Sequence, residues 1–321
     1  MNYSFITGVD IGHYSIKAVV IKPVKGTLTL SACRELVLRE SIFSDNHLLN
    51  HQEIVNKLKQ LRKALPAFSR SVAFSVPDNS VISKVLQIDN SLSAQEKEYA
   101  IIEAFSHQSP FDVEELYFDH YSLSDFTASN THHSAQLYAT KKTVVDNRTS
   151  SFRQAGFKPQ LCDTQGHALT RLLQLLPPAE HYHWLLLDVG LTRSLLVRDF
   201  AQQPPWCKEI PIGIDDSVLQ TGEPFVSQLV EHVQRQWQLL PTQQRDGVRG
   251  MWLTGGGANT PELAEQIATQ LKLNVQRFNP FDMFEIQSTD IDVCDGGRYA
   301  GAIGLSLLGY DWRERDHANS N

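Results

Sequence analysis

The sequence has few features of a disulfide-stabilised, zinc-binding or membrane-spanning protein. It has only four cysteines and no Cys-x-x-Cys pair, which predicts neither a zinc site nor a disulfide framework and fits a reducing compartment. Its twelve histidines show no ligand spacing such as His-Glu-x-x-His. The most apolar windows, such as 184–187, end at acidic residues far short of the ~20 apolar residues of a spanning helix. The sequence does not begin with a basic segment followed by an apolar run, which is the pattern of a signal peptide, so no signal peptide is expected.

Positive charge is also scarce. The chain has 29 basic and 36 acidic residues in 321, a net charge of -7, and a sequence pI near 5.9. A free-standing nucleic-acid binder is expected to show a basic excess, so this class is disfavoured. With 41% hydrophobic residues, the chain is expected to be globular and large enough for about two domains.

The strongest pattern is an internal repeat. The opening "FITGVDIGHYSIKAVVIKP" and the later "HWLLLDVGLTRSLLVRD" both predict a strand, an Asp-x-Gly turn and a second strand. The turns contain Asp10 and Gly12 in the first copy and Asp188 and Gly190 in the second. A single copy would be ordinary, because Asp-x-Gly turns are common between strands. Two copies, each heading one half of an alternating α/β pattern on either side of Pro177-Pro178, favour a duplicated architecture.

A third glycine-rich element follows in "RGMWLTGGGANTPELAEQIATQL". It predicts a strand, a triple-glycine turn and a helix with Thr260 as N-cap and Pro261 at its first position. Such a turn lets a ligand approach the backbone, and a helix N-terminus favours phosphate. The stretch matches neither the dinucleotide-binding glycine pattern nor the P-loop, so it is a weak signal by itself.

Together these elements resemble the actin/Hsp70/sugar-kinase superfamily. "VISKVLQIDNSLSAQEKEYAIIEAFSHQSPFDVEELYFDHYSL", "FRQAGFKPQLCDTQGHAL", "LTGGGANTPELAEQIATQLKLNVQRFNPFDMF" and "RYAGAIGLSLLGYD" make the chain similar to the PilM family of type IV pilus assembly proteins. The resemblance implies an α/β, actin-like (ribonuclease H-like), two-lobed fold. It also implies an extra subdomain, as in FtsA, and a shortened second lobe.

On this resemblance we expect residues 1–178 to form the first lobe, with the inserted subdomain at about 81–158. Residues 179–321 should form the second lobe, and a C-terminal helix at about 296–309 should pack back on the first.

The resemblance also implies the function. The family consists of cytoplasmic components of the pilus alignment complex that bind the N-terminal cytoplasmic tail of the inner-membrane protein PilN. We therefore expect a PilN-like partner, contact with pilus motor proteins as a further option, membrane association through the partner only, and no nucleic acid. ATP and Mg²⁺ are the implied cofactors, with weak or absent hydrolysis.

The resemblance assigns three groups of nucleotide-binding residues. They are Asp10, Gly12, Ser15 and Lys17 in the first hairpin, Asp188, Gly190 and Thr192 in the second, and Gly255, Gly256, Gly257 and Asn259 near the adenosine. Asp10 and Asp188 are also the expected Mg²⁺ ligands, because carboxylate oxygens suit this ion, through its waters. Lys17 could offset phosphate charge or be an exposed strand lysine.

Some features depart from the family pattern. His13 and Leu191 stand where small residues are usual, and their bulk is expected to crowd the phosphates. Only about forty residues separate Gly213 from Trp252, leaving room for one amphipathic helix and not for a longer helical subdomain over the adenine. These features favour a scaffold with a nucleotide-shaped cleft. The alternatives are an active ATPase or kinase of this fold, and a related cytoplasmic component of type II secretion.

Two further residues have competing interpretations. Asp163 precedes a predicted helix, so it is either an N-cap, the favoured interpretation, or a residue that orients a water. Phe111 follows Pro110 in "FSHQSPFDVEELYF" and lies either at the rim of the partner's groove or in the core of the inserted subdomain. The histidine pairs His132/His133 and His181/His183 are expected to be surface or structural residues and not metal ligands.

Overall fold

Two mixed β-sheets with the same strand order form the frame of the structure. The computed structural model describes residues 5–38, 51–123, 131–201, 203–214, 225–287 and 293–319. The first sheet has the order β14-β3-β2-β1-β4-β8. Its strands are β1 (Thr7–Ile11), β2 (Ser15–Val24), β3 (Thr27–Val37), β4 (Ser71–Val76), β8 (Lys158–Thr164) and β14 (Glu285–Ile286).

The second sheet repeats this arrangement with the order β11-β10-β9-β12-β13. In each half of the chain, the first three strands pair with one another in antiparallel orientation. The next two strands of that half extend the sheet with parallel pairing beside the first strand. The strands are β9 (Trp184–Val189), β10 (Ser194–Arg198), β11 (Trp206–Ile210), β12 (Gly250–Thr254) and β13 (Asn274–Arg277). The sequence repeat is therefore a repeat of structure.

Two helices lie between the sheets and carry the largest core. Helix α4 (Gln165–Leu173) and helix α9 (Ala300–Asn319) share an apolar cluster with residues of β2, β3, β9 and β10. Helix α9, where we predicted a helix at 296–309, packs on β1, β2 and β4 of the first sheet. A Cβ on Gly304 would come within 1.9 Å of the carbonyl oxygen of Ala168, so the backbones of α9 and α4 touch.

The inserted subdomain has its own sheet and core. Its strands β5 (Val81–Asp89), β6 (Leu116–Ser122) and β7 (His132–Lys141) pair in the order β5-β7-β6, and helix α2 (Ala94–Ser106) covers one face. Ser93 and Glu96 form a capping box at the start of α2. The separate core lies between Ile82 and Ala139. The stretch 81–158, where we expect the inserted subdomain, also contains one helix outside this core.

That helix, α3 (Lys142–Gln154), belongs to the outer layer of the first sheet. It packs beside α1 (His51–Ala64), with Phe152 in the same apolar cluster as Leu58 of α1 and Phe74 of β4. Gly156 follows the C-cap of α3 with a φ of 87°, the left-handed conformation that favours glycine at the C′ position.

The remaining helices are α5 (Pro178–His181), α6 (Phe225–Leu239), α7 (Thr242–Arg245) and α8 (Leu263–Leu271). The predicted apolar face of α6 is confirmed as core: Phe225, Leu229 and Val233 are buried, and Trp237 packs against the same cluster.

Two predicted helix caps are wrong. Asp163 does not cap α4, because the hydroxyl of Thr164 accepts from the N–H of His167 at 3.0 Å and fills this role. Thr260 does not cap α8, because its hydroxyl instead donates to the carbonyl of Gly257 at 2.8 Å and the helix starts after Glu262. Among the described residues, no helix is both long and apolar enough to cross a lipid bilayer.

Candidate functional site

A cleft of about 360 Å³ opens between the two sheets, at the ends of the repeated hairpins. Both hairpin turns, the triple-glycine turn and the first turn of α9 reach it. Eight of the predicted ligand residues line it: Asp10, Gly12, Lys17, Asp188, Gly190, Thr192, Gly255 and Gly256. Residues that are far apart in sequence are thus brought to one place by the duplicated topology.

The two hairpin turns have the same backbone hydrogen bond. The N–H of Gly12 donates to the carbonyl of Ser15, and the N–H of Gly190 donates to the carbonyl of Arg193, both at 3.0 Å. A Cβ on Gly190 would lie 2.6 Å from the Arg193 oxygen, so only glycine fits there without rearrangement. Because these two N–H groups are used inside the turns, phosphate contacts would have to come from the residues that follow each glycine.

Asp10 and Asp188 face the cleft from opposite sheets. Asp10 is buried at the end of β1, close to Gly301 in the first turn of α9, where a Cβ would lie 3.2 Å from its carboxylate. Burial, together with the negative charge of Asp10, raises the pKa of Asp188 to about 7. Two carboxylates that repel each other across a cleft are suited to share a cation.

Lys17 lies in the cleft and not on an exposed strand face. Its side chain is only 12% exposed, and its Nζ lies 4.0 Å from a carboxylate oxygen of Glu35 on β3. Ser15 donates to the same carboxylate at 2.6 Å, and Arg298 donates to its other oxygen at 3.0 Å. Burial acts to raise the pKa of Glu35, but these hydrogen bonds and the charge of Lys17 lower it overall, so the carboxylate stays ionised.

The triple-glycine turn is fitted closely against the second hairpin. Gly255 has a φ of 88°, and a Cβ there would come within 2.5 Å of the Val189 oxygen and 2.9 Å of an Asp188 oxygen. Gly256 is exposed and borders the cleft, and a Cβ there would meet no atom within 4 Å. The turn therefore presents open backbone to the cleft at Gly256.

Three predicted residues do not line the cleft. Ser15 is buried behind it and supports Glu35. Gly257 packs under the turn against Val189 and Ile214, and its N–H donates to the Val189 carbonyl at 2.9 Å. Asn259 is exposed beyond the turn.

Several cleft residues were not predicted from the sequence. They are Glu35, Gln165, Arg193, Glu209 and Arg298, all of which line the cleft. Arg193 donates to Glu209 at 3.2 Å, and Gln165 contacts Asp188 at 3.4 Å. Glu35 could have been identified from the sequence, because it is a charged residue within the apolar strand "SACREL". Arg193 lies in the second hairpin turn itself.

The bulky residues that depart from the family pattern are also in the cleft. His13 and Leu191 both line it, beside the hairpin turns where the resemblance implies phosphates. Within the described residues between Gly213 and Trp252, the helical structure consists of α6 and the short α7. No group of three or more His, Cys, Asp or Glu side chains among the described residues could hold a metal by itself.

Asp163 belongs to a different polar cluster. Its carboxylate accepts from Nδ1 of His167 at 2.7 Å, and the His167 ring packs edge-on against Tyr138 of the inserted subdomain. Burial lowers the pKa of His167, but the hydrogen bond and charge of Asp163 raise it overall. Asp163 thus joins α4 to the inserted subdomain and does not face the cleft.

Phe111 lies on the surface of the inserted subdomain. It is 38% exposed and outside the subdomain's apolar cluster. The Nζ of Lys141 lies 3.9 Å from its ring centroid, and Ser109 holds the loop through hydrogen bonds to both the N–H and the carbonyl of Phe111. This geometry favours the rim interpretation over the core interpretation.

Comparison with known proteins gives one family and several structural relatives. A family model described as "Type IV pilus assembly protein PilM" matches residues 8–198 and 196–310. The structure is similar to that of a PilM-PilN type IV pilus biogenesis complex, with a TM-score of 0.78 and 18% identity over 96% of this chain and 99% of that chain.

Two more distant structures share the fold. One is a diol dehydratase-reactivating factor in nucleotide-free form, with a TM-score of 0.56 and 8% identity over 97% of this chain and 100% of that chain. The other is the cytoplasmic domain of EpsL of the Vibrio cholerae type II secretion system, with a TM-score of 0.50 and 10% identity over 96% of this chain and 95% of that chain. The predicted actin-like α/β fold is confirmed.

Proposed function

The chain belongs to the family of type IV pilus assembly protein PilM, and on that premise we propose that it binds the cytoplasmic tail of a PilN-like inner-membrane protein during pilus biogenesis. The observation that carries the proposal is the whole-chain likeness to the PilM-PilN complex, which spans both sheets and the inserted subdomain. In this role the protein is cytoplasmic and reaches the inner membrane through its partner. The type II secretion component is the weaker alternative, with a TM-score of 0.50 against 0.78.

The tail is proposed to lie beside the inserted subdomain. Strand β6 is an edge of the three-stranded sheet and carries exposed Tyr117 and Tyr121. An extended peptide can add to such an edge through backbone hydrogen bonds while its side chains occupy neighbouring pockets. Phe111 and Lys141 at the end of this surface would contact the tail's side chains.

We further propose that the cleft binds MgATP. Bound Mg²⁺ would supply positive charge that neutralises the phosphates, and Asp10 and Asp188 would hold it through its water ligands. Lys17, kept in place by Glu35, would face the phosphates. Gly256 would let the nucleotide approach the backbone at the triple-glycine turn.

Hydrolysis is expected to be slow, which favours a scaffold over an active ATPase or kinase. The support is the bulk of His13 and Leu191 in the cleft and the short stretch between Gly213 and Trp252.

Isothermal titration calorimetry with a synthetic PilN-like tail peptide, with and without MgATP, tests both parts. Saturable one-to-one peptide binding is expected. If peptide binding is absent under both conditions, the partner assignment is wrong. If MgATP at millimolar concentration neither binds nor shifts the melting temperature, the nucleotide assignment is wrong and the partner assignment stands on its own data.

A further inference from the structure

A surface with strong positive charge lies at the end of the first sheet opposite the cleft. Strand β4 runs parallel to β1, so its first residue lies at the far end from Asp10, together with the start of β8 and the end of α1. We call the exposed or half-buried side chains there the basic pole. It consists of Lys59, Arg62, Lys63, Arg70 and Lys158.

Among the described residues, no acidic side chain pairs with the basic pole. The segment 57–70 holds five basic residues and no acidic one, in a chain whose net charge is -7. Within the part of the chain that the structure describes, none of the five side chains of the basic pole forms an ion pair. Burial and the nearby charge of Arg70 both lower the pKa of Arg62.

A structural role in α1 accounts for only part of this cluster. Arg62 and Lys63 lie in the last turn of α1, where cations stabilise a helix, but Arg70 directly precedes β4 and Lys158 begins β8. Lys59 and Lys63 are four residues apart on the exposed face of α1, a spacing at which like charges destabilise a helix. The protein therefore keeps an unfavourable arrangement that an anionic surface would relieve.

The shape of the region adds an apolar feature. Arg62, Lys63 and Arg70 surround an open depression of about 520 Å³, which also includes Leu65, Ala67 and Gly156. Arg62 donates to the carbonyl of Ala67 at 3.1 Å, and the N–H of Ser69 donates to the carbonyl of Pro66 at 3.0 Å, so the loop between them is held in place. At its tip Phe68 is 85% exposed, the most exposed large apolar side chain described.

We propose that the basic pole docks directly on an anionic phospholipid surface, with Phe68 entering the headgroup region. Lysine and arginine side chains near an anionic leaflet bind its headgroups, and an aromatic ring beside them contacts the acyl boundary. One exposed aromatic at a loop tip suits a flat bilayer better than a nucleic-acid strand, which is bound by a track of stacking aromatics.

This lipid contact goes beyond the proposed function, in which the protein associates with the membrane only by binding its partner's tail. A patch of this size binds weakly alone, and stable membrane association generally needs two signals. The tail of a membrane-anchored partner would hold the basic pole near the bilayer at high local concentration, so two weak contacts would act together.

Vesicle co-sedimentation of the full chain without any partner tests the proposal. At low salt the chain should bind phosphatidylcholine vesicles that contain phosphatidylglycerol, but not vesicles of phosphatidylcholine alone. Added salt should reduce the binding, because the Debye length shortens. The double variant Lys63→Gln/Arg70→Gln should lose roughly twentyfold in partitioning, since each basic side chain contributes about a fivefold factor. Phe68→Ser should lose about three- to tenfold.

Matched controls separate this effect from general charge. Lys84→Gln/Arg277→Gln removes the same charge from exposed positions on the inserted subdomain and the second sheet, and should bind vesicles as the wild type does. All five variant positions are exposed, so each variant should remain folded and tail-peptide affinity should not change.

Two results would overturn the proposal. One is equal binding of the wild type to neutral and anionic vesicles, or no binding to either. The other is a Lys63→Gln/Arg70→Gln protein that binds like its control pair. If the basic pole instead binds RNA or DNA in a gel-shift assay while vesicles fail, its ligand is a nucleic acid. None of these results bears on tail-peptide binding, which the calorimetry measures separately.

Discussion

Asn79 and Glu209 join the inserted subdomain to the second sheet: Nδ2 of Asn79 donates to a carboxylate oxygen of Glu209 at 2.9 Å. Asn79 stands two residues before β5, and Glu209 is on β11 at the cleft. The other carboxylate oxygen of Glu209 accepts from Arg193 in the second hairpin turn at 3.2 Å. A short chain of side chains thus runs from the cleft to the base of the subdomain.

This series of side-chain contacts predicts that nucleotide binding in the cleft and binding of the partner's tail peptide affect each other. Phosphates would compete with Glu209 for Arg193, so MgATP is expected to change tail-peptide affinity, and Asn79→Ala should reduce that change. Couplings of this kind are typically roughly 1–3 kcal/mol. Calorimetry of the peptide with and without MgATP measures it. Asn90→Ala, which breaks a similar exposed contact with His133 at the other end of β5, should leave the coupling as in the wild type.

Asp188→Asn should stabilise the protein at neutral and higher pH. The pKa of Asp188 is raised to about 7, so folding favours its protonated form. The stability that this group contributes is complete below pH 4 and is lost as pH rises from about 4 to 7. The asparagine variant does not suffer this loss, and its advantage should reach about 2 kcal/mol above pH 7, after allowance for solvent screening in an open cleft.

Thermal denaturation across this pH range checks the prediction. Asp112→Asn, which removes one negative charge at an exposed position, serves as the control. The Asp188→Asn protein should also bind MgATP more weakly. A variant that is no more stable than the wild type at pH 8 would mean that burial and the charge of Asp10 do not raise the pKa of Asp188.

Gly256→Ala should weaken MgATP binding and leave the fold intact. A methyl group there meets no protein atom within 4 Å, so the melting temperature should stay within experimental error. The same methyl group would point into space that the nucleotide is proposed to fill, and binding should fall about tenfold. Unchanged affinity would place the nucleotide away from this turn.

Gly304→Ala, in contrast to Gly256→Ala, should destabilise the fold. Its added methyl would lie 1.9 Å from the carbonyl oxygen of Ala168, so α4 and α9 would have to move apart. Overpacking of this kind costs about 1–3 kcal/mol, which urea denaturation would detect. A Gly304→Ala protein of wild-type stability would contradict the close packing of these two helices.

Phe111→Ala should weaken tail-peptide binding with little loss of stability. The ring is 38% exposed and outside the subdomain core. The matched variant is Phe105→Ala, because Phe105 is fully buried under the same sheet and its truncation should cost about 3–5 kcal/mol. If Phe111→Ala destabilises the protein and leaves the peptide affinity unchanged, the residue belongs to the core.

The frame of the fold was predictable because it is encoded locally and twice. Each Asp-x-Gly hairpin and the triple-glycine turn can be recognised within about twenty residues, and the structure places most of their predicted residues in one cleft. That these positions bind a nucleotide stays a prediction.

What the sequence did not predict depends on contacts between distant segments. Glu35 and Arg298 are 263 positions apart and meet only because the second half of the chain returns to the first sheet. The caps at Thr164 and Glu262 were missed because several polar residues compete at each helix start, and tertiary contacts decide among them. Asp163 is drawn instead to His167.

The packing of α9 on β1 has a consequence for synthesis. Strand β1 begins at Thr7, and the helix that covers it begins at Ala300, so the first sheet remains partly uncovered until synthesis has reached α9. At translation speeds of about 5–20 residues per second, this interval is roughly 15 to 60 seconds. During that time we expect the nascent first sheet to expose apolar surface to other chains, a condition that favours aggregation unless a chaperone covers it.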